Sequence, residues 1–133
     1  MIGLDTNILI RYLTQDDKEQ AALATKLIEE QTGIPHSIFI NNIVLCELIW
    51  VLDRGYKYKK ENIICVLRHI FSTEEFAFEN QNILWEALDE FENNSLDFSD
   101  ALIANINHTK GCKKSYTFDK EASLSRKFSL LEY

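Results

Sequence analysis

Proline and glycine, the residues that most often punctuate a chain, are scarce here: one proline, Pro35, and four glycines in 133 residues. No internal repeat, low-complexity segment or linker is found either, which excludes a string of flexibly joined modules. Cysteine is rare and odd in number, and Cys46, Cys65 and Cys112 lie far apart. That spacing holds no paired zinc pattern and points to reduced thiols, hence to a cytoplasmic protein. The histidines His36, His69 and His108 are equally scattered, which speaks against a metal site built on nitrogen or sulfur. No run approaches the roughly 18 uninterrupted apolar residues of a membrane span. The start has no basic stretch followed by an apolar one, so no signal peptide is expected. Excess positive charge is missing too. The net charge is −7 at pH 7, whereas phosphate binders are usually basic.

What the chain does contain is globular: 46% hydrophobic and 26% charged residues, enough length for one domain, residues 1–133, with a proper core. Its first thirteen residues, MIGLDTNILIRYL, read as a very short buried strand that ends in Asp5 and passes at once into a helix. Asp5, Thr6 and Asn7 are all good helix caps. Asp5 also stands just past the carboxyl end of a strand, where open α/β sheets form their ligand sites. A second helix runs to about Gln31, capped by Asp16 or Asp17, with Leu23, Leu27, Ile28 and the interleaved alanines as its apolar stripe. Ser37–Ile40 is a second strand. Ile43–Asp53 is a helix apolar nearly all round, which predicts burial of most of its surface, Glu47 included. Further helices are expected over Lys59–Phe71, Asn80–Asn93 and Asp97–His108, with a short one at Lys120–Ser125. Further strands are expected at Glu75–Glu79, Ser115–Phe118 and Phe128–Leu131. Strands alternating with helices imply an α/β fold with a parallel sheet covered on both faces.

On such a sheet Asp5 and Asp119 follow strands one and four and fall on one edge, and Asp100 lies in the first turn of a helix facing that edge. Glu47 sits one turn into the helix after strand two. A desolvated lone glutamate is costly unless paired or bound to a metal. Carboxylates gathered at one edge also repel one another, by roughly 1 kcal/mol per pair even in bulk water at 4 Å. Oxygen ligands without His or Cys suit Mg²⁺ or Mn²⁺. Helix capping accounts for Asp97, Asp100 and Asp119 without any function. Two basic clusters, Arg54, Lys57, Lys59 and Lys60, then Lys110, Lys113, Lys114 and Lys120, could line a phosphate path or simply be solvated.

Taken in order, LDTN at the N-terminus, the CELIWVL helix, DFSDALIA and YTFD resemble the PIN-domain ribonucleases. The single-domain size resembles, more narrowly, the VapC-type toxins of prokaryotic toxin–antitoxin pairs. The resemblance covers essentially the whole chain and implies a three-layer α/β/α sandwich around a mostly parallel sheet of four to five strands. On the family pattern Asp5, Glu47, Asp100 and Asp119 match the four acidic positions. Thr6 and Asn7 match the polar residues beside the first, and Thr117 the hydroxyl residue two before the last. Asp97, a helical turn before Asp100, is read first as an N-cap and second as an accessory ligand. The implied activity is endoribonucleolytic hydrolysis with one or two Mg²⁺ or Mn²⁺ ions, which leaves 5′-phosphate and 3′-OH ends. Thr6 and Thr117 would orient ligands or water, or else serve capping and strand packing.

An RNA substrate, a cognate antitoxin presenting a basic side chain to the acidic groove, and a homodimer are implied likewise. Trp50 and Leu52 are candidates for the dimer surface, although such residues are more often core. Charge is the departure, since an acidic toxin must still hold RNA; two divalent ions would bring the formal −7 to −3. Two rivals stand beside this reading. One is a catalytically silent PIN-like module that acts through a protein partner. The other is an aspartyl-phosphate phosphohydrolase of the haloacid-dehalogenase kind with Asp5 as nucleophile, which wants a second aspartate where this chain has Asn7.

Overall fold

The computed structural model describes residues 1–132. The chain forms two compact units, Met1–Glu79 and a second that begins at Asn80.

The first unit is built on a parallel three-stranded sheet in the order β1 (Ile2–Gly3), β2 (Ile38–Phe39), β3 (Phe76–Ala77). Ile2 lies opposite Ile38 and Ile38 opposite Phe76, so a row of apolar side chains crosses the sheet. Helices α1 (Thr6–Thr14), α2 (Lys18–Glu29), α3 (Asn42–Arg54) and α4 (Lys60–Ser72) join the strands. Three of the four begin on a side chain that accepts a backbone N–H: Asp5 from Ile8, Asp17 from Gln20 and Asn41 from Val44. Such caps are typically worth about 1 kcal/mol each. The strands are only two residues long, and burial does most of the holding. Leu9, Ile38, Ile40, Leu45, Leu48, Leu52 and Leu67 are wholly buried, each contributing roughly 1.5–3 kcal/mol. The glutamates flanking β3 tie it to neighbouring loops. Glu75 Oε2 accepts the N–H of Gly33, which turns at φ +82°, and Glu79 Oε2 accepts the N–H of Asn42. Gly55 closes α3, where a Cβ would stand 2.8 Å from the Val51 carbonyl.

The second unit holds α5 (Gln81–Asn93), α6 (Phe98–Thr109), β4 (Ser115–Thr117), a 3₁₀ turn (Ala122–Leu124) and β5 (Phe128–Leu130). The two helices pack through Leu84, Ala87, Leu88, Phe98, Ala101 and Leu102, all buried, and Phe91 meets Phe98 edge to face at 6.3 Å. β4 and β5 pair in parallel, with Ser115 opposite Phe128.

The α/β class and the parallel strands are those expected from the alternation of elements. The five strands pair as three and two, so β1 and β4 do not belong to one hydrogen-bonded sheet among the described residues. Three packing expectations are corrected. Leu23 is 70% exposed, while Ile28 and the alanines of the expected stripe, Ala21 and Ala24, are buried. The small alanines let α2 lie close on α1, which turns the leucine outward. Helix α3 does not bury most of its surface: Ile43 and Trp50 are exposed, and so is Glu47. Of the two dimer-surface candidates, Leu52 is core and only Trp50 is available. No helix among the described residues is long and apolar enough to cross a membrane.

Candidate functional site

The short β1 delivers buried Leu4 and then Asp5, whose backbone is extended (φ −90°, ψ 174°) before the chain turns into α1. Oδ1 of Asp5 caps the helix by accepting the Ile8 N–H at 3.2 Å, while Oδ2 has no protein partner among the described residues. The next residue reaches across to α3: Thr6 Oγ1 donates to Glu47 Oε1 at 2.8 Å. Asp5, Thr6, Asn7 and Glu47, together with Trp50 and Val51, line one open cavity of about 460 Å³. The expected desolvation of Glu47 is overturned, because its side chain lies on the solvent side of α3. Exposure removes the burial argument for a metal at Glu47. What holds this carboxylate is the threonine hydroxyl.

In the second unit Asp97 occupies the N-cap position of α6 yet makes no side-chain capping bond. Its carboxylate is left to act through its charge. Asp100, in the first turn, is half-buried, and its carboxyl is held above the usual aspartate range. Burial is the largest cause, followed by the charges of Asp97 and then Asp119. The helix N-terminus favours an anion, and here desolvation and repulsion outweigh it. Asp119 follows β4, with Oδ1 accepting the N–H groups of Glu121 (2.9 Å) and Ala122 (3.4 Å). Thr117 Oγ1 accepts the N–H of Asp119 at 3.0 Å, so it shapes the turn that carries the aspartate.

Each unit therefore gathers its own share of the sequence-derived acidic set: Asp5 with Glu47, and Asp97 with Asp100 and Asp119. Among the described residues none of these five carboxylates forms an ion pair. The donor chemistry, all oxygen and uncompensated, fits a hard divalent cation. No group of three or more Asp, Glu, His or Cys side chains stands close enough to hold an ion among the described residues, so no assembled cage is present there. The exposed lysines of both basic clusters lie in loops and helix ends.

Two features escaped the sequence reading. Trp50, read as dimer surface or core, lines the Asp5–Glu47 cavity. A polar cluster joins Lys127 Nζ to Glu86 (2.8 Å), Glu90 (2.6 Å) and the Asn105 carbonyl oxygen (2.6 Å). The i, i+4 spacing of Glu86 and Glu90 on α5 was its one sequence signal.

An α/β chain with acidic side chains at the starts of α1 and α6 and after β4 matches a known family. The PIN domain family pattern covers residues 2–127, and the chain belongs to that family. The VapC ribonuclease of Aquifex aeolicus (strain VF5) is 26% identical over 117 residues, spanning 88% of this chain and 86% of that protein. Among solved structures, the crystal structure of Mycobacterium tuberculosis VapC20, a sarcin–ricin loop cleaving toxin, aligns at 20% identity. It covers 93% of this chain and 94% of the other with a TM-score of 0.45.

Proposed function

We propose that this protein is a divalent-cation-dependent endoribonuclease of the VapC kind, the toxin of a type II toxin–antitoxin pair. The observation that carries the reading is family membership over nearly the whole chain, with a VapC ribonuclease matched across 86% of its length. Asp5, Glu47, Asp100 and Asp119 are the proposed ligands of one or two Mg²⁺ or Mn²⁺ ions, with Asp97 as accessory ligand. A cation bound by them would supply charge neutralisation at the phosphate and a nucleophilic water at neutral pH. The chain's own contribution is orientation. Thr6 fixes one oxygen of Glu47, the Glu121 and Ala122 amides fix one oxygen of Asp119, and the Ile8 amide fixes one of Asp5. Each of these carboxylates is left with a second oxygen for a ligand. Asn7 lines the cavity beside Asp5 and is proposed to hydrogen-bond the RNA backbone there.

The test is cleavage of a mixed RNA pool with Mg²⁺ or Mn²⁺, with chelator, and by Asp5→Asn prepared identically. Cleavage lost in both controls, leaving 5′-phosphate and 3′-OH ends, is the expected result. Ends carrying 2′,3′-cyclic phosphate would refute hydrolysis by water, and equal cleavage by Asp5→Asn would mean a contaminant. An antitoxin presenting a basic side chain to these carboxylates, a homodimer and a cytoplasmic location belong to the same proposal; a monomer mass in sedimentation across concentrations would remove the dimer. The phosphohydrolase reading loses its ground, because the chain belongs to a different family.

A further inference from the structure

We infer that Trp50 is the stacking platform for an unpaired RNA base next to the scissile phosphate, with Arg54 holding the phosphate beyond it. The inference rests on the nuclease reading and adds the residue that selects single-stranded substrate. Trp50 is 63% exposed and has no aromatic partner among the described residues. A single exposed aromatic is unremarkable in itself; its neighbours give it meaning. Trp50 lines the same cavity as Asp5 and Glu47, and it follows Glu47 by three residues on α3. That spacing puts the two side chains on one face, about 4.5 Å apart along the helix axis. Arg54 is four residues further along the same face, exposed, and only loosely paired with Asp53 at 3.8 Å.

The ridge thus runs carboxylate, indole, guanidinium within about 10 Å of helix. A nucleotide strand has that alternation of charge and flat ring. The cavity lining is also mixed in character, polar at Asp5, Thr6, Asn7 and Glu47 and apolar at Trp50 and Val51. An all-apolar occupant, such as the apolar face of a second copy, would bury two unpaired carboxylates against it, a costly outcome. A nucleotide whose phosphate is neutralised at the carboxylates and whose base lies on the indole satisfies both kinds of lining. A stacking platform tolerates every base, because each has a π-face, and it rejects a duplex, whose bases are already stacked.

The test uses the full chain with Trp85→Phe, so that Trp50 is the sole tryptophan, after its melting temperature has been matched to wild type. Single-stranded oligoadenylate with Mg²⁺ should quench Trp50 emission, and duplex RNA of equal length should not. In cleavage assays Trp50→Ala should raise KM roughly 5- to 150-fold, the range for losing one stacked base, with kcat within about twofold. Trp50→Phe should recover most of the loss, and Arg54→Ala should raise KM and flatten its salt dependence. Wild-type cleavage with KM unchanged in Trp50→Ala and no quenching overturns the platform and leaves the nuclease standing. Quenching without any cleavage shows a base-stacking surface at Trp50 but overturns the nuclease reading and, with it, the placement beside a scissile phosphate. An emission shift on concentrating the protein alone, with none on adding RNA, assigns the face to a second copy and overturns the inference.

Discussion

Replacing Lys127 by Met should be the most destabilising single change in the second unit outside its apolar core. The ammonium sits 2.8 Å from Glu86, 2.6 Å from Glu90 and 2.6 Å from the side-chain oxygen of Asn105. Its surroundings are not those of a surface ion pair. Lys127 and Glu90 side chains are only 22% and 16% exposed, and Asn105 is buried. Asn105 is in turn pinned by donating to the Ala101 carbonyl at 2.7 Å and to Glu90 at 3.3 Å. Removing the cation leaves Glu90 with one buried oxygen already unpartnered and the Asn105 oxygen without its donor. Breaking a buried pair in this way costs 3–5 kcal/mol when burial is complete. Partial exposure and the water it admits reduce that to about 2–4 kcal/mol.

For a chain of this length about 3 kcal/mol lowers Tm by about 10 °C. Urea unfolding of wild type, Lys127→Met, Glu90→Gln and the double variant measures the coupling. The double variant should be more stable than Lys127→Met, since it removes the orphaned charge. A loss below about 1 kcal/mol for Lys127→Met, or strict additivity, would refute the reasoning. The linkage runs the same way. Burial would lower the lysine pKa, yet the bonds to Glu86 and Glu90 outweigh it and raise the value above 10.5. The stabilisation is complete below the ordinary lysine range and is lost as pH rises through the raised value.

Asp16 should titrate at about 2, held down chiefly by the hydrogen bond from Tyr56, then by that from Thr14. Its stabilisation is present above the ordinary aspartate range and is lost as pH falls from about 4 towards 2; NMR titration of Tyr56→Phe should show the value rising. Thr6→Val should lower kcat by roughly tenfold with Tm nearly unchanged, because it frees Glu47 to rotate without opening the core. Thr6→Ser should retain activity, and a Thr6→Val enzyme as active as wild type would show that Glu47 needs no such support.

The elements set by local chemistry could be read from the residues. Asp5, Asp17, Asn41 and Asn80 each cap the helix expected to follow, because a short side-chain oxygen one residue before an apolar stripe has few other uses. The site residues were legible as types and positions, but their environments were not. Helix α3 is so evenly apolar that its pattern contains no preferred face, and only packing decides that Leu45, Leu48 and Leu52 go in while Glu47 and Trp50 go out. Asp97 shows the converse. The cap position was foreseen and occupied, yet the capping bond is missing, and the carboxylate instead adds its charge to the burial that holds Asp100 above the usual aspartate range. The Lys127 cluster joins residues 37 and 22 positions apart, a separation at which a lone lysine carries no local signal.

The exposure of these acids bears on whether the protein needs a cation to fold. A structural metal site makes its domain unfold when the ion is removed, because folding would otherwise bury unpaired ligands. Here Asp5, Glu47, Asp97 and Asp119 are exposed and keep their hydration, and only Asp100 is half-buried. The core of each unit is complete without an ion, so chelator should leave Tm nearly unchanged. Saturating Mg²⁺ should then act purely by mass action, adding about 2.7 kcal/mol at one hundred times its dissociation constant, or about 10 °C. In Asp100→Asn the repulsion from Asp97 and Asp119 is relieved. The cation-free variant should therefore melt at or above wild type, and its response to Mg²⁺ should shrink. Unfolding of wild type by chelator alone would show that the carboxylates are part of the folding core, contrary to their exposure.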